Sequence, residues 1–220
     1  MYWIEREIRE GVLILTGEFR TLSSSLLGGG IGRKRHLLNV QVPHGYASDD
    51  PWRDAQARVQ GLGLPLESCT AMMTAADVGD VVEYVANGEE FQARVYVTAG
   101  VGNAARAGKE RQTYAGYLAG TINIIVAVDA RMTDAAVVNT LITVTEAKAA
   151  ALQDMGITDR DGRIATGTTT DSVIIAVNER TAFTGIHQYA GVATELGNKI
   201  GIGVYDALTA SLISGREEQA

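Results

Sequence analysis

The 220-residue chain predicts an α+β fold in which residues 1–220 form a single domain, a mixed β-sheet with early hairpins and helices packed on the sheet. Alternating strand patterns around glycine turns crowd the first half. Strand-helix pairs fill the second half, and the length suits one hydrophobic core.

Ile4 to Arg9 and Val12 to Arg20 alternate apolar and charged residues on either side of Glu10-Gly11, the signature of a hairpin. Ser23 to Gly32 follows as a glycine-rich loop that suits a tight turn or a close approach to a ligand. Leu37 to Val42 predicts a short strand closed by Pro43. After a loop from His44, a helix runs from Pro51 to about Val59, capped by Asp49 or Asp50. Within Asp80 to Thr98, Asn87-Gly88 predicts a type I′ hairpin turn, because both residues accept positive φ.

Gly120 to Asp129 is apolar on both faces and reads as a central strand covered on each side. Thr133 caps a helix that runs to about Met155 and stops at Gly156, with Val137, Leu141, Val144 and Leu152 as its buried stripe. The second pair is a strand over Ser172 to Asn178 and a helix from about Thr194 to Ile213. Gly197, Gly201 and Gly203 lie inside that helix at roughly 1 kcal/mol each relative to alanine. Close packing on a sheet, or on a second subunit in a homo-oligomer, offsets them.

Composition narrows the function. Hydrophobic residues at 46% with 20% charged describe a folding globular chain, and the balance of 19 Lys+Arg against 26 Asp+Glu gives a net charge of −7 with scattered bases. This argues against nucleic acid and anionic membrane as partners. The N-terminal residues lack the continuous apolar run of a signal peptide or membrane span, and the single cysteine, Cys69, fits a reducing compartment, so a cytoplasmic location is expected. Phosphate-loop, zinc and serine-elbow motifs are absent. His36, His44 and His187 share no ligand spacing, so neither a metal nor a cofactor is expected.

What carries chemistry is a set of polar residues at strand ends. Thr98 to Gly108 holds Gly100, Gly102, Asn103 and Arg106 after a strand, without the strict spacing of a dinucleotide loop. Asn123 sits inside an apolar strand, where its amide needs partners or costs on the order of 1–3 kcal/mol. Glu146 and Lys148 are two residues apart and face nearly opposite ways, which excludes a local ion pair; Glu146 shares its face with Asn139 and Thr143. Thr166-Gly-Thr-Thr-Thr-Asp171 gathers hydroxyls, a carboxylate and backbone N–H groups at the entrance of a strand. It reads either as a polar substrate site or as a turn whose threonines satisfy their own backbone.

Together these segments resemble the adenosylcobinamide amidohydrolase family. The resemblance rests on Thr98–Gly108, Gly120–Val126, Thr145-Glu-Ala-Lys148 and Ala165–Asp171, in that order. Leu38–Pro43 with Tyr46, Met73–Ala76 and Tyr189–Gly197 add to it, so that it spans roughly residues 20 to 210. It implies a cytoplasmic hydrolase that cleaves the amide between aminopropanol and the corrin ring side chain of adenosylcobinamide, giving adenosylcobyric acid for corrinoid salvage. The implied partner is a corrinoid small molecule.

Amide hydrolysis needs a nucleophile, an oxyanion stabiliser and a proton for the amine. Asp171 or Glu146 can serve as base for water; Asn103 or Asn123 can hold the oxyanion; Lys148 or His44 can supply the proton. A threonine nucleophile, Thr168, Thr169 or Thr170, is the competing mechanism. Gly28, Gly29, Gly30, Asn39, Thr74, Gly100, Gly102, Arg106, Thr166, Thr168 and Thr169 are the candidate substrate-binding positions. Two rival functions remain at this stage, a non-catalytic corrinoid carrier and an amidase of a smaller amide.

Overall fold

The computed structural model describes residues 3–110 and 121–217. In chain order the strands are β1 (Glu5–Arg9), β2 (Val12–Ser23), β3 (Gly30–Gln41), β4 (Cys69–Thr74), β5 (Val82–Gly88), β6 (Phe91–Ala99), β7 (Ala104–Ala105), β8 (Ile122–Asp129), β9 (Arg131–Met132), β10 (Gly167–Thr168), β11 (Ser172–Asn178) and β12 (Ile186–His187). The α-helices are α1 (Pro51–Gly61), α2 (Asp134–Asp154) and α3 (Glu195–Glu217). An eight-stranded mixed sheet runs β4-β3-β2-β11-β8-β6-β5, with β1 paired to β2. The expected α+β architecture with early hairpins is what the chain adopts.

Side-chain alternation divides the interior in three. One set of faces of β6, β8 and β11 packs Val95, Val97, Ile124, Val126 and Ile175 against Val137, Val144 and Leu152 of α2 and Leu196, Ile200, Val204 and Leu208 of α3. The β2–β4 half packs Val12, Ile14, Leu38 and Val40 on Ala55 and Val59 of α1. Residues of the opposite parity from both halves, including Leu13, Leu15, Leu37, Met72, Tyr96, Ile125 and Ile174, form a shared middle core. The sheet therefore coils until its two halves face each other. Each such buried side chain contributes about 1.5–3 kcal/mol.

Ser24 to Gly29 assists the coiling. Leu27 exchanges backbone hydrogen bonds with Ala71 of β4, and Ser24 N–H donates to Val173 O of β11, so this loop links the outer edge of β4 to β11. Across the middle core, Asn123 Nδ2 of β8 donates to Asn39 Oδ1 of β3 (2.8 Å) and to Met73 O of β4 (2.9 Å). Asn39 Nδ2 donates to Thr98 Oγ1 of β6 at 2.8 Å.

Local signals held at several places. The Thr133 hydroxyl caps α2 by accepting from Ala136 N–H, Asp50 caps α1, and β11 spans the expected residues. α2 has the length and apolarity of a membrane span, yet it lies on the sheet with Ala136, Val137, Val144, Ala151 and Leu152 buried. Two glycines of α3 answer to packing within the chain: a Cβ at Gly197 would lie 2.2 Å from Ala190 O, and one at Gly203 would lie 2.6 Å from the Tyr84 ring, whereas one at Gly201 would make only an ordinary 3.6 Å contact with Thr143.

Other boundaries differ. β3 begins at Gly30, well before Leu37, because Gly30 to Lys34 pairs with β2 on a largely exposed stretch where alternation has no apolar side to show. α3 continues past Ile213 to Glu217. The expected Asn87-Gly88 turn is not there: Gly88 pairs with Phe91, so the loop is Glu89-Glu90. The buried Phe91 ring fills the space beside Gly88, 2.1 Å from where a Cβ would stand, and Gln92 Nε2 donates to Asn87 Oδ1 across the strands. The positive-φ pair occurs instead at Glu10 (52°) and Gly11 (70°), between the paired Arg9 and Val12. Gly120, expected at the start of the central strand, lies outside the described residues.

Candidate active site

β8 and β11 are parallel neighbours, with Asn123 opposite Ser172, so the segments entering both strands reach the same end of the sheet. The segment entering β11 is the threonine turn. β10 pairs it with β7, Gly167 opposite Ala105 and Thr168 opposite Ala104. This brings the Thr98–Gly108 segment against it. Ala107 N–H donates to Thr166 Oγ1 (2.9 Å), and Arg106 donates to Ile164 O (2.7 Å).

Asp171 is the hub. Its Oδ1 accepts from Ile122 N–H at 3.2 Å and from the Thr168 hydroxyl; its Oδ2 accepts from Thr168 N–H at 3.0 Å and from Lys148 Nζ of α2. The Lys148 and Asp171 side chains are only 10% and 12% exposed. Burying two charges is expensive unless pairing and hydrogen bonds compensate, and here both conditions are met. Gly167 makes room: a Cβ there would lie 2.3 Å from Asp171 Oδ2 and 2.7 Å from Lys148 Nζ.

Asn103 adjoins this hub. Its Nδ2 donates to Thr169 Oγ1 at 2.7 Å and more weakly to Thr170 Oγ1 at 3.4 Å. The Thr170 hydroxyl also meets Thr121 Oγ1. Asn103, Thr121, Thr168, Thr169, Thr170, Asp171 and Lys148 thus converge, supplied by four separated stretches of sequence. Thr121 and the Lys148–Asp171 pairing were not anticipated. The pair joins residues 23 positions apart on different elements, which no local pattern encodes.

The remaining candidates have other places. Asn123 and Asn39 are 1% and 2% exposed, and their side-chain amides bond to one another, to Met73 O and to Thr98 Oγ1 inside the middle core, where they brace the coiled sheet. Thr74 Oγ1 accepts from Ala76 N–H. Gly28 and Gly29 serve close backbone packing: a Cβ at Gly28 would lie 2.2 Å from Cys69 O, and one at Gly29 2.3 Å from Ser25 O. Gly30 starts β3 and is exposed. Gly100 N–H donates to Thr121 O, and Gly102 lies in the turn leading to Asn103. Glu146 is exposed on α2; of its expected polar strip, Asn139 Oδ1 accepts from Ala190 N–H and Thr143 Oγ1 donates to Ala190 O. His44 is exposed in the loop ahead of α1.

Among the described residues no group of three or more His, Cys, Asp or Glu side chains converges to hold a metal ion. A shallow groove of about 470 Å³ lies between the first turns of α2 and Tyr189, lined by Asp134, Ala135, Val138, Asn139 and Ile142. Six residues, about 9 Å of helix rise, separate Ile142 from Lys148, so the groove is distinct from the cluster.

A hydroxyl, a carboxylate and an ammonium in one hydrogen-bonded line are groups of the kind that acyl transfer uses. Residues 5–220 match the family model described as adenosylcobinamide amidohydrolase. A curated relative named adenosylcobinamide amidohydrolase, from Methanosarcina mazei, is 31% identical over 216 residues, covering 95% of this chain and 98% of that protein. The chain belongs to the adenosylcobinamide amidohydrolase family, and is therefore a hydrolase of an amide bond. An uncharacterised protein of Methanocaldococcus jannaschii is 29% identical over 171 residues, 69% of this chain and 66% of its own length. Among solved structures, a Burkholderia sp. beta-aminopeptidase aligns at a TM-score of 0.46 and 13% identity, covering 94% of this chain and 80% of its own.

Proposed function

We propose that this chain hydrolyses the amide joining aminopropanol to the corrin ring side chain of adenosylcobinamide, giving adenosylcobyric acid for corrinoid salvage, and that it does so in the cytoplasm. Family membership over residues 5–220 supports the substrate. The observation that carries the chemistry is the Thr168–Asp171–Lys148 line.

Donor counting supports threonine over water as the nucleophile. A carboxylate offers about four acceptor positions, and four donors already fill those of Asp171. A water molecule has no vacant position there, whereas the Thr168 hydroxyl is already in place. Thr168 Oγ1 attacks the amide carbon as its proton passes to Asp171; Lys148, held by the same carboxylate, delivers a proton to the departing amine. The C–N bond breaks and aminopropanol leaves; water then attacks the ester, its proton passing to the now neutral Lys148 while Thr168 regains its proton from Asp171 as the corrinoid acid departs.

Incubation with adenosylcobinamide tests this. A new carboxylate shifts the corrinoid on ion exchange, and the protein gains the corrinoid acyl mass during turnover. Intact corrinoid, retained but never cleaved, would establish the carrier alternative instead. Rapid cleavage of simple amides without preference for the corrinoid would establish the small-amide alternative, since a site built around a large substrate loses rate when its remote contacts are removed.

A further inference from the structure

We propose that the side-chain carbonyl of Asn103 accepts a hydrogen bond from the N–H of the scissile amide and so selects amides over other acyl compounds; this rests on the amidohydrolase reading above. Asn103 is 5% exposed. Both hydrogens of its Nδ2 point to threonine hydroxyls, at 2.7 Å and 3.4 Å. Its Oδ1 is buried without a hydrogen-bond partner.

A buried acceptor left unpaired costs about 1–3 kcal/mol. That cost is recovered when a donor arrives. Thr169 and Thr170, whose hydroxyls accept the Asn103 N–H bonds, are both exposed, so this amide lies just beneath the outer side of the turn. Thr168, the attacking hydroxyl, precedes Thr169 directly. A secondary amide whose carbon lies at Thr168 carries its N–H one bond away, and that hydrogen is the donor the substrate can offer.

The test compares two substrates in two proteins: adenosylcobinamide, and its ester analogue with oxygen in place of the scissile N–H. Asn103→Ala is expected to lower kcat/KM about 10-fold on the amide and less than about 2-fold on the ester. Asn103→Asp keeps an acceptor, to which the threonine hydroxyls donate in turn, and is expected to hold the amide rate within about 3-fold. Equal losses on amide and ester would overturn the proposal: they are the mark of an Asn103 that only shapes the turn, or whose N–H faces the carbonyl oxygen. If the unsubstituted protein cleaves neither substrate, the amidohydrolase reading fails, and this role with it. If Asn103→Ala does not fold, the decision passes to Asn103→Asp and the unsubstituted protein: a variant that keeps ester cleavage while losing the amide more than 10-fold overturns the proposal.

Discussion

Lys148 of α2 and Asp171 ahead of β11 form a buried ion pair that fastens the threonine turn to the helix behind it. Removing one partner strands the other as a buried charge, a loss of about 3–5 kcal/mol. Lys148→Met and Asp171→Asn are each expected to lower stability by that order in denaturant titration. The double variant should lose less than the sum, because no lone charge remains. Additive losses would show that the two groups do not act as a pair.

The three threonines are expected to separate in kinetics. Thr168→Val removes the hydroxyl bonded to Asp171 and should lower the rate about 10³-fold or more, with no acyl adduct by mass. Thr169→Val and Thr170→Val should lose less than about 10-fold. Glu146→Gln, on exposed helix surface, should keep its rate within about 2-fold and its stability within about 0.5 kcal/mol. A large loss for Glu146→Gln with Thr168→Val active would return the base to Glu146.

Gly167→Ala tests the hub without removing any polar group. Its Cβ would stand within 3 Å of both Asp171 Oδ2 and Lys148 Nζ, so the pair must part or the turn must shift. The expected outcome is a large drop in rate together with a lowered melting temperature. Parental behaviour would show that the turn adapts at no cost.

His36 should give a pH dependence to stability. Its ring is half-buried beside Thr16 Oγ1, and burial, aided by the Arg35 charge, holds its pKa below the usual value near 6.5. The unfolded chain then binds the proton more readily than the folded one. The contribution is present in full above about pH 6.5 and is lost as pH falls through the folded value. Melting temperature measured down that window should fall less steeply in His36→Gln than in the parent.

Sequence patterns revealed the elements where local chemistry and burial agree. The Thr133 cap, the end of α2 at Gly156 and the apolar run of β11 all lie within a few residues of the signals that predict them. They failed where long-range packing decides. Asn87-Gly88 has the better turn chemistry, but Phe91 opposite Gly88 sets the register, and the positive-φ turn falls to Glu10-Gly11. Of the site, the threonine turn, Asn103, Asp171 and Lys148 were visible as polar residues at element ends. Their connection was not: the Lys148–Asp171 contact depends on α2 crossing behind β11, and Thr121 joins because β8 enters beside the turn.

The placement of the cluster at the entering ends of β8 and β11 has an electrostatic result. In open α/β sheets, ligands collect at the leaving ends of the strands, where helix amino termini attract anions. Here Lys148 belongs to the later part of α2, whose nearer terminus is the carbonyl end. The lysine's charge is already balanced by Asp171. A freshly made carboxylate would therefore have to compete with Asp171 for Lys148, and release of the acid product need not break an ion pair with that lysine.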